Sequence, residues 1–149
     1  MRTIRMVVAA CATGMMLSAC AVFAPAYDQT LATETNAAYQ GVSQILASAD
    51  LGAYSDPASY SGAQAQYVST TSALSIAAMR AGSETVAPRG TGAKARDLLV
   101  QQIEGCRSQV LALAAIHQRS GLKPGTGMTQ PVQVSCDEAA RAVSAMQPH

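Results

Sequence analysis

Residues 99–117 read LVQQIEGCRSQVLALAAIH, and their spacing decides the fold class. Leu99, Ile103, Cys106, Val110, Leu113 and His117 recur at alternating steps of four and three. That repeat keeps side chains on one face of an α-helix packed against another helix. The pattern predicts a helix from about Ala93 to Arg119, stopped by Gly121 and Pro124. Arg119 and Lys123 suit the negative end of its dipole.

Working outward, the same repeat governs Leu31, Thr35, Ala38, Val42, Ile45 and Ala49, which predicts a helix over about Asp28–Asp50 with Asp28 as N-cap and Gly52 as its stop. Asp56-Pro57 pairs an N-capping residue with a proline suited to the first helical position. It opens a helix to about Ala81 that turns Tyr60, Tyr67, Leu74 and Ala78 inward. Residues 82–92, with Pro88, Gly90 and Gly92, read as a loop, as does the Gly-, Pro- and Thr-rich stretch 120–134. Ser135 and Glu138 have the spacing of a capping box opening a short last helix to about Met146. Alternating β-branched sequence is confined to Val132–Val134. The expectation is an all-α, antiparallel bundle of three long helices and one short C-terminal helix, a single domain over residues 28–147.

Composition agrees. Hydrophobic residues make up 49% of the 149, yet aromatics are only 4% and Trp is absent, so Ala carries much of the apolar count and backbones must approach closely. Net charge is +1. Without Arg2 and Arg5 the rest of the chain is close to neutral, which excludes the clustered cationic surface that nucleic-acid binding needs. Residues 20–79 hold Asp28, Glu34, Asp50 and Asp56 with no basic side chain, and all five tyrosines lie there too. Two expectations follow: that opposite charges set the pairing of the two halves, and that the tyrosines contribute to an exposed docking patch.

At the N-terminus, Arg2 and Arg5 precede an apolar run from Met6 to Leu17, the length of an export-signal core and too short to span a bilayer. The run ends in Leu17-Ser18-Ala19-Cys20, which resembles the bacterial lipobox. The resemblance implies that residues 1–19 are a signal peptide and that the Cys20 thiol carries the lipid. Residues 20–27 then form a short tether to the membrane. Val8-Ala9-Ala10-Cys11 fits the pattern loosely, but would leave too short an apolar core, so Cys11 is expected in the discarded peptide. Pro25 and Gly14 argue against a retained membrane helix. In a two-membrane bacterium, Ala21 after the cysteine implies the outer membrane, facing the periplasm.

Cys106 and Cys136 are then the remaining thiols, and in an oxidising compartment they are expected to pair as a structural disulfide. Neither has the spacing of a redox or zinc motif. His117 reads as a helix-terminal histidine bonded to backbone, with Glu34, Asp137 or Glu138 as carboxylates that could approach it. Tyr39, Tyr67 and His117 are candidates for lining a pocket between helices. The Gly-Thr-Gly stretches at 90–92 and 125–127 read as hinges, since neither has the Gly-Lys-Ser/Thr ending of a phosphate loop. No catalytic signature is present, and no metal or cofactor is expected beyond the lipid on Cys20. The reading is a non-enzymatic, membrane-anchored envelope lipoprotein that docks a protein partner, with a small-molecule-binding bundle as the alternative.

Overall fold

Helix α3, Thr91–Ser120, is the longest element, and every residue of its four-three seam from Leu99 to His117 is buried. The computed structural model describes residues 28–85 and 90–146. Residues 1–27, which hold the expected export signal, Cys20 and the expected tether, lie outside them. Helix α1 spans Gln29–Asp50, capped by the Asp28 carboxylate, which accepts from Thr30 N–H at 2.8 Å. A 3-10 turn at Pro57–Ser59, capped by Asp56, leads into α2, Tyr60–Ser83. Helix α4 spans Gln130–Ser144. The described residues contain no strand.

Each helix packs on the next in sequence, and α4 closes back on α1, giving an antiparallel four-helix bundle. The α1 seam is buried as the spacing predicts. Where α1 and α2 meet, a Cβ at Gly41 would overlap Thr70 Oγ1, so this contact depends on the absence of a side chain. Opposite charges do not set the pairing of α1–α2 with α3–α4: among the described residues, Asp28–Arg80 joins α1 to α2, and Arg96–Asp97 and Glu104–Arg107 are local to α3.

The start of the last helix is a correction. It begins at Gln130, not at Ser135, so Ser135 and Glu138 lie inside it and the capping box does not form. Pro131 sits in the first turn, where its fixed φ favours a helix and its missing N–H leaves no bond unmade. Val132, Cys136, Ala139 and Val143 are the buried face, so burial at helical spacing overrides the β-branched alternation of Val132–Val134. The connecting loop shrinks accordingly to residues 121–129.

Cys106 and Cys136 are both buried and form the expected disulfide, with Cα atoms 4.5 Å apart and a sequence separation of 30. Closing a loop of that length restricts the unfolded chain by about 3–4 kcal/mol. At 15 residues α4 is near the length where an isolated helix is marginal. Replacing both cysteines by Ala should therefore lower stability by about 3 kcal/mol in urea unfolding. Amide exchange should then open α4 first.

The α1–α2 and α3–α4 connections interlock at one end of the bundle. Leu122 N–H donates to the Tyr54 carbonyl at 2.6 Å, and Leu122 is buried. Gly121 adopts φ +71°, and a Cβ there would collide with the Ser55 carbonyl. Gly121→Ala should cost about 3 kcal/mol, from the left-handed backbone and the displaced loop together. Equilibrium unfolding measures this directly, and a cost below about 1 kcal/mol would show that the connections yield easily.

Candidate functional site

The interlocked end holds the densest group of polar aromatic side chains in the described chain. His117, in the last turn of α3, is fully buried. Tyr54 from the α1–α2 connection stacks on its ring at 4.5 Å between centroids. Tyr60 meets it edge-on at 5.5 Å and Tyr67 at 5.8 Å. With so few large side chains in the sequence, these rings fill the end of an otherwise Ala-rich bundle.

The hydrogen bonds fix the imidazole's tautomer. Ser59 Oγ–H donates to the Asp56 carbonyl at 2.5 Å. In the tautomer that leaves this proton on the carbonyl, His117 Nε2–H donates to Ser59 Oγ across the 2.8 Å separation. Nδ1 then accepts from Tyr67 O–H at 3.3 Å. Burial pushes the Tyr67 hydroxyl pKa up, which keeps it a donor. Burial also pushes His117 below its ordinary 6.5, favouring the neutral ring.

Ser59 and His117 are thus at the separation of a nucleophile and its base, but the bond between them runs the wrong way. A histidine that activates serine accepts the serine proton; here it donates. Among the described residues, no carboxylate hydrogen-bonds to the ring, and Glu138 is exposed on α4. Asp56 caps Ala58 N–H, Asp137 accepts from Tyr39, and Glu34 lies at the opposite end of α1. The arrangement tethers α3 to the start of α2, and its partners are Ser59 and Tyr67 rather than the expected backbone groups.

Of the proposed pocket residues, Tyr67 and His117 come together and Tyr39 does not. Tyr39 lies on the α1–α4 seam, where its hydroxyl donates to Asp137 Oδ1 at 2.5 Å, a bond that raises its pKa. It lines a separate cleft of about 240 Å³ with Leu46, Asp50, Gln133 and Asp137. Sequence reasoning missed Ser59 and Tyr54, because turn geometry carries them in and no periodicity marks a turn. Tyr60 was legible as an inward residue of α2. The tyrosine docking patch is also corrected for four of its five members: Tyr54 and Tyr67 are buried, Tyr39 and Tyr60 are half-buried, and Tyr27 lies outside the described residues. Among the described residues, no three His, Cys, Asp or Glu side chains converge as a metal site would need.

No family model, curated protein or solved structure matches the chain.

The cage has a pH signature. Because the folded-state pKa of His117 lies below its unfolded value, the stability it confers is complete above about pH 6.5 and is lost as pH falls toward the lowered value. Asp28, held down by its hydrogen bond to Arg80, acts in a lower window, below its ordinary 3.8. The melting temperature should therefore drop as pH falls below about 6.5, and His117→Gln should flatten that drop while lowering stability throughout. An unchanged slope in the variant would locate the acid sensitivity elsewhere.

Proposed function

We propose that this chain is an exported, lipid-anchored envelope protein that works as a non-enzymatic interaction module. One observation carries the reading: the buried Cys106–Cys136 disulfide sits in a chain whose first twenty residues resemble a lipoprotein signal. A disulfide-stapled bundle suits the oxidising space that such a signal addresses. Support also comes from His117, whose two ring nitrogens are committed to holding helices together. Cys20 carries the lipid, and residues 20–27 tether the bundle near the outer-membrane surface on the periplasmic side. Seven or so residues reach at most ~25 Å, so any partner is met close to the bilayer.

Cys20→Ser should abolish incorporation of labelled fatty acid and shift the protein from the membrane fraction to an unprocessed or soluble form. Wild-type fractionation of that variant would overturn the anchor. A second reading, small-molecule binding, draws on the cleft that Tyr39 and Asp137 line, although its ~240 Å³ is small beside ordinary ligand sites. Ligand-detected NMR with a fragment library, read against Tyr39→Phe, separates the two.

A further inference from the structure

Tyr39, Ser43, Leu46 and Asp50 recur on α1 at steps of four, three and four, a seam beside the buried one. Gln133 and Asp137, one turn apart on α4, line the same cleft from its other side. Buried Val42 and Cys136 form the floor. The trough is therefore apolar at its base and polar along its walls. Its charged groups are two carboxylates, Asp50 and Asp137.

Hydrogen bonds across the seam set the distance between these carboxylates. Tyr39 O–H donates to Asp137 Oδ1 at 2.5 Å, and Thr129 O–H donates to Asp50 Oδ1 at 3.4 Å. Gln133 N–H bonds to the Thr129 carbonyl, which keeps Thr129 in helical register with α4. From Thr129 to Asp137 the helix rises about 12 Å, so the acidic groups stand at opposite ends of the cleft. Among the described residues, neither is paired with Lys, Arg or His, and the second oxygen of each accepts no hydrogen bond. Helix α1 contains no basic residue, and Arg141, one turn past Asp137, is exposed and outside ion-pair distance of it.

A single metal ion cannot bridge the two, because its oxygen ligands lie within about 2.6 Å. The spacing calls for two separate positive charges. Ammonium groups held about 2.8 Å inside each carboxylate would stand ~6–7 Å apart, the span of a chain of about four or five methylenes. The volume agrees. At about 240 Å³ the cleft is below the ~300 Å³ of the smallest ordinary ligand pockets, and a slender linear molecule fills it.

We propose that the α1–α4 cleft binds a linear aliphatic diamine, with its ammonium groups on Asp50 and Asp137 and its methylenes against Val42, Leu46 and Cys136. The inference rests on the small-molecule reading of this cleft and deepens it by naming the ligand class. It requires neither export nor lipid.

The test uses the full chain in a non-ionic detergent, with the five-carbon diamine cadaverine as probe and amide chemical shifts as readout. Shifts should centre on Ser43, Ala47, Gln133 and Asp137, with a dissociation constant on the order of 1 mM or tighter. Pentylamine, which keeps the chain and loses one charge, should bind about fivefold more weakly. Trimethylenediamine, which keeps both charges on too short a chain, should weaken to a similar degree. Asp50→Asn and Asp137→Asn should each cost the diamine about fivefold. An asparagine at 137 still accepts from Tyr39, so the seam stays closed. Arg141→Gln, which removes a competing positive charge, should tighten binding, and Asp97→Asn on α3 should leave it unchanged. Equal affinity for pentylamine, shifts that track surface carboxylates outside the cleft, or indifference to both asparagine variants would each overturn the proposal. Neutral fragments that shift the cleft amides where cadaverine does not would overturn the diamine alone. Silence from fragments and diamine together would overturn the small-molecule reading as well.

Discussion

Both ring nitrogens of His117 are hydrogen-bonded inside a cage of three tyrosines, and two of the bundle's connections close over that cage. A buried imidazole is tolerated only when its donor and acceptor are both met, because an unsatisfied polar group in an apolar interior costs about 1–3 kcal/mol. Meeting them needs Ser59 at the entry to α2 and Tyr67 a little over two turns further along it. The bond therefore sets the height of α3 against α2. Ser59 is held in turn by the Asp56 carbonyl, and Tyr54 is tied to Gln66 and Leu122. The result is two hydrogen-bonded groups from three segments, joined by the stacking of Tyr54 on His117, in a protein whose remaining contacts are mostly between small apolar side chains.

That dependence explains which parts were readable from the residues alone. Periodicity reports which side of a helix faces inward, so the seams of α1 and α3 were legible residue by residue, as was the pairing of Cys106 with Cys136. Periodicity is silent about connections. The partners of His117 come partly from a turn, where Ser59 and Tyr54 carry no spacing signal, and a pocket drawn from Tyr39, Tyr67 and His117 joined residues that belong to two different seams. Pro131 was the local signal for the true start of α4. Its force was hidden because Ser135 and Glu138 offered a competing cap, and only burial of Val132 decides between them.

Small side chains serve this fold in two distinct ways. At Gly41, the missing side chain is required by Thr70 across the α1–α2 contact, and at Gly121 by the Ser55 backbone. At Gly62 nothing within the bundle makes such a demand. The same residue type is thus a packing necessity in two places and free of any packing demand in the third, and only the neighbouring atoms distinguish them.

The disulfide also bears on the order in which the bundle assembles. Its partners are 30 residues apart, whereas the Tyr39–Asp137 bond that closes α4 onto α1 spans 98. The longer closure sacrifices about 1 kcal/mol more chain entropy, and non-local contacts slow the search for the native state. The α1–α2 and α3–α4 hairpins are therefore the natural first units, with the α1–α4 seam closing last. The seam between the first and last helices becomes the latch of the structure rather than its seed.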